Sequence, residues 1–386
     1  MDLSGLRDEF PVSERFVYLN HAATGPLPRR TAAAIARQAE QTMRAGGAGF
    51  SDWLQAYREL RESAARLLHA DPGEIALTKN TSEGLSFIAN GLDWRPGDIA
   101  VGVGEDFPAN YFPWARLERR GVQLRWLGLH QGCLDLEEID RACAGARLLA
   151  VSFVHYLSGF RLDLEAVGEI CRRRGCLFVV DAVQGLGPFS ADVRAAGIHA
   201  LSASGHKWLL GPEGAALFYI SRELQEQVEP VEFGWTNVEG SASYSREEVV
   251  RRDASRYECG TLNTVGCYGL RASLSLFHEL EPEARARRVL ALTDRLLDKA
   301  REKGYQPMAP RDETNGSGIV SLRRRDVDSA VAVRRLAQAM IIVSARHGWI
   351  RVSPHFYNTE AEIDRLMAAL PQRPERRASS SSRPGA

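Results

Sequence analysis

Between about residues 74 and 221, short apolar runs alternate with helix-length amphipathic segments. This alternation is typical of βαβ units, because parallel strands need helical crossovers that also cover the faces of the sheet. The sequence therefore predicts an α/β fold with a mainly parallel sheet. The predicted strands are residues 75–78, 99–103, 148–154, 176–181, 200–203 and 215–220, and residues 164–174 form a predicted crossover helix that Gly175 ends.

The sequence pattern changes near residue 268, where long amphipathic helices begin to predominate. In one of them Val289, Leu292 and Leu296 share an apolar stripe. We expect an N-terminal segment, residues 1–20, that packs with the small domain, a large domain, 21–268, and a smaller α+β C-terminal domain, 269–370. Residues 371–386 are poor in apolar side chains and are predicted to be disordered.

The basic residues are divided unevenly between lysine and arginine. Lys+Arg and Asp+Glu both total 49, so the zero net charge gives no reason to expect a nucleic-acid or anionic-membrane partner. The lysines are Lys79, Lys207, Lys299 and Lys303, and every other basic residue among the 49 is arginine. Because arginine cannot form an imine with an aldehyde, a lysine in a chemically rich stretch is a candidate for covalent chemistry.

The six cysteines show neither a Cys-x-x-Cys pair nor metal-ligand spacing, and a chain of this length needs no disulfide staples. We expect free buried thiols and no metal site. The N-terminus lacks a basic start followed by an apolar stretch, and no run of about 18 apolar residues occurs. These features predict a cytoplasmic protein that does not enter a membrane.

The most informative stretch, from Ser204 through His206 and Lys207, follows one predicted strand, and Asp181 ends another. In parallel α/β sheets ligands lie at the carboxyl ends of strands, so Asp181 and Lys207 are predicted to face one cleft. Pyridoxal phosphate needs such a pair, because a lysine holds its aldehyde as an imine and a carboxylate keeps its pyridine nitrogen protonated. Either residue alone is more often a surface lysine or a helix cap, but the combination favours cofactor chemistry.

A phosphate site is predicted where a strand, a short polar turn and a helix follow one another. Thr81 and Ser82 stand at the start of this helix, where free backbone N–H groups and hydroxyls bind phosphate. A plain helix cap would produce the same local pattern. Ser204 and His206 precede Lys207 closely enough to reach a phosphate from the other side.

These residues resemble the class V aminotransferase family of fold type I pyridoxal phosphate enzymes, which includes cysteine desulfurases, kynureninases and isopenicillin N epimerases. The resemblance extends from Tyr18 to Thr359, nearly the whole chain. It implies a seven-stranded type of sheet and assigns phosphate binding to Thr81, Ser82, Ser204 and His206. It also assigns the pyridine nitrogen to Asp181, the ring hydroxyl to Gln184 and the imine to Lys207.

The same resemblance implies a homodimer with shared active sites. The segment 258–263 resembles the one through which a neighbouring subunit offers a threonine, here Thr261, to the phosphate. The segment around Arg351 resembles the one whose arginine binds the carboxylate of an amino-acid substrate, a task that suits bidentate pairing.

Three positions depart from the desulfurase pattern. Desulfurases carry a nucleophilic cysteine on a mobile loop before the carboxylate arginine, but here residues 345–348 lead almost directly to Arg351. Phe107 occupies the ring-stacking position at which desulfurases place a histidine. His155 and Tyr156 stand where relatives have an asparagine near the ring hydroxyl, so either could replace that hydrogen bond, act as an acid or base, or belong to a buried structural pair. We assign Tyr156 to the cofactor and His155 to the substrate.

We therefore predict a pyridoxal phosphate enzyme that removes the α-proton of an amino acid with Lys207, as a β-lyase, epimerase or aminotransferase. One alternative is a kynureninase-like hydrolase with Phe233 and Trp235 as a substrate wall, and another is desulfuration or selenocysteine lysis without the loop cysteine. A nucleotide-binding oxidoreductase is disfavoured because Phe107 stands where the third glycine of a Gly-x-Gly-x-x-Gly motif belongs. A non-catalytic scaffold would not need the intact set around Lys207.

Overall fold

The computed structural model describes residues 4–240 and 246–371, so the predicted disordered tail lies, apart from Pro371, outside the described residues. The helices are α1 Ser4–Arg7, α2 Val12–Arg15, α3 Arg29–Ala45, α4 Phe50–Leu68, α5 Thr81–Gly91, α6 Phe112–Ala115, α7 Leu136–Cys143, α8 Leu164–Arg174, α9 Arg222–Gln225, α10 Thr264–His278, α11 Pro282–Glu302, α12 Ser329–Gln338 and α13 Glu360–Ala369. The strands are β1 Val17–Tyr18, β2 Ile75–Thr78, β3 Ile99–Val103, β4 Gln123–Leu127, β5 Leu148–Ser152, β6 Leu177–Asp181, β7 Ala200–Ser204, β8 Ala216–Ile220, β9 Gln306–Pro307, β10 Val320–Arg323, β11 Ile341–Ile342, β12 Ser344–Arg346 and β13 Trp349–Val352.

The main sheet has seven strands in the order β2-β8-β7-β6-β5-β3-β4, and only β8 runs against its neighbours. The predicted mainly parallel α/β fold is confirmed. Because β8 is antiparallel to both β2 and β7, those two strands run in the same direction as β6, β5 and β3. Since β4 is also parallel to β3, the carboxyl ends of six strands meet at one edge of the sheet, which is where such folds bind ligands.

All six predicted strands have limits within two residues of the observed ones, but one strand of the main sheet was missed. Gln123–Leu127 forms β4 at the edge of the sheet, beside β3. Its residues alternate between apolar and polar side chains, and most are only half-buried. An edge strand carries this period-2 pattern in place of the continuous apolar run that marks the central strands.

The crossover helix α8 has the predicted limits, and its two ends explain them. The Asp163 side chain accepts a hydrogen bond from the Ala166 backbone N–H, which satisfies a free donor of the first turn. Gly175 follows the last helical residue with φ 64°, a left-handed conformation that costs glycine little. Val167 and Cys171 lie on the buried face of the helix.

The C-terminal part of the chain contains a four-stranded antiparallel sheet in the order β12-β13-β10-β9. Near it, β1 pairs in parallel with β11 through Val17 and Ile341. Val17 and Leu19 belong to the apolar core that also contains Leu292 and Ile350. Residues 17–19 therefore pack against the last third of the chain. Among the described residues, no helix is both long enough and apolar enough to cross a bilayer.

Candidate active site

A cavity of about 1200 Å³ opens at the carboxyl ends of the parallel strands. Its walls come from the turns after β2, β3, β5, β6 and β7, together with the β12–β13 hairpin. The predicted site residues that line it are Thr81, Ser82, Phe107, His155, Tyr156, Asp181, Gln184, Ser204, His206, Lys207 and Arg351. Residues separated by up to 270 positions in the chain therefore face one space, as the sequence predicted.

Lys207 and Asp181 are the two groups of opposite charge at the centre of this cavity. Burial lowers the pKa of Lys207 to about 8, and the positive charges of Arg351 and Arg346 act in the same direction, while Asp181 opposes them. Burial raises the pKa of Asp181 to about 7, and the nearby Asp106 carboxylate adds to this effect. Each group thus titrates close to neutral pH, which is the range useful to an acid or base.

Asp106 is a functional candidate that the sequence reasoning missed. It follows the carboxyl end of β3, is 7% exposed, and accepts hydrogen bonds from the Ser152 hydroxyl, the Asn110 amide and the Phe107 backbone N–H. The strand-end rule that identified Asp181 applies equally to Asp106. Its carboxylate fixes the turn that presents Phe107 and supplies negative charge beside Asp181.

The predicted phosphate site is built from the start of α5 and the end of β7. Asn80 caps α5 by accepting from the Glu83 backbone N–H. The Thr81 hydroxyl lies 2.9 Å from that of Ser204, and each hydroxyl also accepts a hydrogen bond from the other residue's backbone N–H. This exchange joins the helix start to the turn that carries His206 and leaves the positive end of the helix facing the cavity.

The N-terminal segment holds the lysine turn in place. The Gly25 backbone N–H donates to the His206 carbonyl, and a Cβ on Gly25 would lie only 2.3 Å from the Lys207 carbonyl oxygen. The Trp208 indole donates to Gln184 Oε1, and Gln184 Nε2 donates to the Ala22 carbonyl. Gln184 is therefore oriented by two contacts within the chain, and a second hydrogen on its Nε2 is left for a ligand.

Aromatic side chains form the wall opposite the strand ends. The Lys207 ammonium nitrogen lies 5.3 Å from the centre of the Phe107 ring, and Tyr156 packs edge-on against the same ring. His155 is 6% exposed. Its Nδ1 accepts from the Ser158 backbone N–H, so its Nε2 carries the proton and donates to the Glu105 carbonyl. Both nitrogens of His155 are thus engaged by the chain.

Arg351 projects from β13 at the far end of the cavity and is 3% exposed. Its Nη1 donates to the Tyr156 carbonyl and its Nε to the Ser344 hydroxyl. Burial lowers its pKa to about 10, and the like charge of Arg346 contributes. Within the described part of the chain, no acidic side chain forms a salt bridge with Arg351, so its charge is available to an anionic ligand.

The β12–β13 hairpin forms the segment that leads to Arg351, where the sequence predicts no long loop. Arg346 pairs directly with Trp349, so only His347 and Gly348 form the turn. Both have positive φ, 49° and 81°, as the tight turns that match the twist of a hairpin require. The predicted absence of a mobile cysteine loop agrees with this geometry, and none of the residues that line the cavity is a cysteine.

Two sets of predicted residues lie outside the main cavity. Thr261 is exposed and lines a separate cavity beside Glu258 and Trp235. Phe233 and Trp235, the proposed substrate wall of a kynureninase-like site, are 52% and 51% exposed and do not reach the main cavity of their own chain. Arg346 and Trp349 do reach it, although the sequence reasoning did not single them out.

The residues present fit pyridoxal phosphate. Asp181 is 2% exposed, accepts one hydrogen bond, from the Val183 backbone N–H, and has no salt-bridge partner in the described residues. A buried carboxylate with one hydrogen bond and no salt bridge can form an ion pair with a protonated ring nitrogen. Hydroxyls and a helix start face one end of the cavity, and an amine of lowered pKa faces its centre. The set supplies one partner for each polar group of the cofactor.

The model of the family described as aminotransferase class-V matches residues 17–366. A probable cysteine desulfurase of Methanothermobacter thermautotrophicus is 31% identical, over 96% of this chain and 98% of the relative. The isopenicillin N epimerase of Streptomyces clavuligerus is also 31% identical, over 92% of this chain and 94% of the relative.

Solved structures agree with these relatives. The apo cysteine desulfurase of Thermococcus onnurineus NA1 superimposes with a TM-score of 0.87 at 26% identity, over 94% of this chain and 96% of that one. The cystine C–S lyase C-DES, in complex with its product cysteine persulfide, gives a TM-score of 0.87 at 23% identity and shows the shared fold. The chain belongs to the class V aminotransferase family of pyridoxal phosphate enzymes.

Proposed function

We propose that the enzyme holds pyridoxal phosphate through Lys207 and removes the α-proton of an amino acid whose carboxylate pairs with Arg351. The observation that carries the proposal is the placement of Lys207, Asp181 and Arg351 around one cavity. The class of reaction is that of a lyase, epimerase or transferase, as in the relatives. The cofactor, when bound, supplies an electron sink for the α-carbanion.

The chain's own residues divide the remaining work. Thr81, Ser82, Ser204 and His206 bind the phosphate, and we infer that Thr261 of a second copy completes this site. Asp181 holds the proton on the ring nitrogen, Gln184 hydrogen-bonds to the ring hydroxyl and Phe107 covers a ring face. Since the pKa of the free Lys207 amine is lowered to about 8, a larger share of it is neutral near physiological pH than for an exposed lysine, and this share can accept a proton at Nζ.

Tyr156 and His155 have different proposed roles. The Tyr156 hydroxyl lies 3.3 Å from His347 Nε2 at the open side of the cavity, where it can contact the substrate. His155 donates to the Glu105 carbonyl and so positions the turn that carries Phe107. We therefore assign His155 to the substrate wall as a positioning residue and Tyr156 to direct contact.

Desulfuration through an enzyme-bound persulfide is disfavoured by the hairpin. A persulfide carrier needs a thiol that reaches the substrate sulfur, and the two-residue turn at His347 and Gly348 offers neither a thiol nor the length to move. Cys259 is the cysteine nearest to Thr261 in the chain. Its thiol lies 3.5 Å from the Glu232 carboxylate. Burial raises the pKa of this thiol and Glu232 adds to the effect, so the nucleophilic thiolate is disfavoured.

The cofactor assignment is tested with the purified enzyme. We expect a visible absorbance band from lysine-bound pyridoxal phosphate and, after borohydride reduction, a covalent adduct on the peptide that contains Lys207. Lys299→Ala is the matched control, because that lysine forms a surface ion pair with Asp364. Lys207→Ala must lose the adduct, and a colourless wild-type protein that retains no pyridoxal phosphate would overturn the proposal.

The reaction itself is tested with a panel of amino acids, S-substituted cysteines and kynurenine, with product analysis by mass spectrometry. Incubation in deuterium oxide must exchange the α-proton of accepted substrates, and Lys207→Ala must abolish this exchange. Sulfide and alanine as the main products from cysteine would contradict the case against desulfuration. Anthranilate from kynurenine would favour the hydrolase alternative.

Domain limits and assembly complete the proposal. We propose that residues 21–268 form the cofactor-binding domain and that 269–370, together with 1–20, form the small domain. The pairing of β1 with β11 and the shared core around Val17 and Leu292 support this division. We also propose a homodimer, which the position of exposed Thr261 away from the main cavity of its own chain supports, and we propose that it is cytoplasmic.

A further inference from the structure

Three buried cysteines converge at a point outside the active-site cavity. Cys143 is the last residue of α7, Cys171 lies in α8, and Cys176 immediately precedes β6. Their sulfur atoms lie within 4.8 Å of one another, and each residue is at most 2% exposed. The sequence did not predict this group because its members come from separate elements and have no short ligand spacing.

The three sulfur atoms lie close together, and hydrogen bonds to the backbone fix their positions. The Cys176 thiol donates to the Leu177 carbonyl at 3.7 Å. The Cys176 backbone N–H donates to the Cys171 carbonyl at 2.9 Å, which closes the turn between α8 and β6. The Ala146 N–H donates to the Cys143 carbonyl at 3.0 Å and fixes the end of α7.

The charged side chains near the three thiols carry an excess of positive charge. Asp140, one turn before Cys143, pairs with both Arg173 and Arg174, at 2.7 and 2.5 Å. One carboxylate against two guanidinium groups leaves one positive charge beside the thiols. Arg174 and Asp140 both act electrostatically on Cys143, so this charge is within effective range.

We propose that Cys143, Cys171 and Cys176 form a three-thiolate site for a soft divalent cation of the Zn²⁺ and Cd²⁺ class. Metal–sulfur bonds of about 2.3 Å place three sulfur atoms roughly 4.0 Å apart, which the observed group reaches by a small contraction. Thiolate ligands select soft cations over Mg²⁺ or Ca²⁺. The site is distinct from the residues that bind substrate and cofactor.

When the cation binds, both the protons released and the net charge can be accounted for. Each thiol releases its proton to solvent as a metal–sulfur bond forms, so one divalent cation displaces three protons. Three thiolates and one divalent cation carry one negative charge, which the positive excess of Asp140, Arg173 and Arg174 offsets. A monovalent cation would leave two negative charges in the apolar core, at greater cost.

The bound cation would tie α7, α8 and the start of β6 together. Because Asp181 is the last residue of β6, this link would hold in place the strand that carries the active-site carboxylate. The cation therefore acts on stability and on the position of the strand, without touching substrate.

The test uses the reduced holoenzyme in which the two less buried cysteines are replaced, Cys133→Ser and Cys259→Ser. This protein is titrated with Cd²⁺ under anaerobic conditions with a phosphine reductant, and thiolate-to-cadmium charge-transfer absorbance is followed in the ultraviolet. We expect saturation at one Cd²⁺ per chain, a raised thermal midpoint, and competition by Zn²⁺. Cys171→Ser must abolish the signal, whereas Cys267→Ser, which removes a buried thiol of α10, must retain it.

A direct measurement keeps the proposal testable if the Cys171→Ser variant does not fold. X-ray absorption at the cadmium edge of the parent protein must show three sulfur neighbours. Absence of the charge-transfer band, fewer than three sulfur neighbours, or a signal that survives in folded Cys171→Ser would each overturn the proposal.

Discussion

Arg351 was predicted from the motif around it, and its contacts explain why one arginine among so many is suited to bind a carboxylate. It is almost fully buried, its Nε and Nη1 are held by Ser344 and Tyr156, and a second arginine, Arg346, lines the same cavity. Neither composition nor spacing reveals this combination of burial and fixed orientation. Asp106 shows the reverse case, since its place after the carboxyl end of β3 predicts a functional carboxylate from the sequence alone.

Arg351→Lys should therefore raise the KM for amino-acid substrates by about 10- to 100-fold, because an ammonium group cannot form the bidentate pair and the shorter reach leaves the carboxylate partly unpaired. Steady-state kinetics with the best substrate of the panel measure this effect. Arg323→Lys is the control, since that guanidinium lies over the Trp349 ring, outside the cavity wall. An unchanged KM in Arg351→Lys would remove Arg351 from the proposed carboxylate site.

Asp181 predicts a pH dependence for the cofactor-free chain. Its pKa is raised from 3.8 to about 7 by burial, with Asp106 contributing, so the folded state binds more protons than the unfolded state between these values. The contribution of Asp181 to the free energy of unfolding must then fall as pH rises from about 4 to 7, by at most about 4 kcal/mol at 1.36 kcal/mol per pKa unit. Asp181→Asn removes this dependence and should gain stability relative to the wild type as pH rises. Urea unfolding across the pH range checks this, and parallel profiles for the two proteins would contradict it.

Among the elements, the central strands were predictable because each is a short run of buried apolar residues, whereas β4 and the small antiparallel sheet were not. Strands β9, β10, β12 and β13 are two to four residues long and depend on pairing with one another. Their formation is a tertiary effect, because so short a segment has no periodicity of its own. The tight β12–β13 hairpin follows from local chemistry, since Gly348 tolerates the positive φ of the turn.

The segment after β5 depends on close contact with the C-terminal part of the chain at Gly159. This glycine has φ 76°, and an added Cβ would lie 2.0 Å from the Ile319 carbonyl oxygen. Gly159→Ala should therefore lower the free energy of unfolding by about 3 kcal/mol or more, from backbone strain and overpacking together. Gly348→Ala is the matched control, because its φ is 81° but nothing lies within 4 Å of the new Cβ. Its cost should stay at about 1–2 kcal/mol. Equal losses in the two variants, measured by urea unfolding, would contradict the proposed close packing.

At the scale of the whole molecule, the proposed homodimer depends on the surroundings of Thr261. Thr261 lines a second cavity, of about 460 Å³, together with Phe50, Leu54 and Trp235. These three apolar side chains are 46%, 40% and 51% exposed, and side chains of this kind seldom cluster on a surface that stays in water. The sequence identified Thr261 by resemblance, but it could not show that apolar side chains from α4 and from the segment after β8 would gather around it.

We expect the purified enzyme to have twice the 42.7 kDa mass of one chain, as measured by sedimentation equilibrium. The double variant Leu54→Glu, Trp235→Glu places two like charges on the apolar surface around Thr261, so it should dissociate into monomers and lose pyridoxal phosphate on gel filtration. Val331→Glu is the control, because Val331 is 36% exposed on α12, away from this cavity, and its variant must remain dimeric and coloured.

If Thr261 reaches the phosphate of a second copy, Thr261→Ala should weaken cofactor binding by about tenfold without changing the mass, since one hydrogen bond to a charged group is lost. A wild-type monomer that binds one pyridoxal phosphate tightly would show that each chain completes its own site.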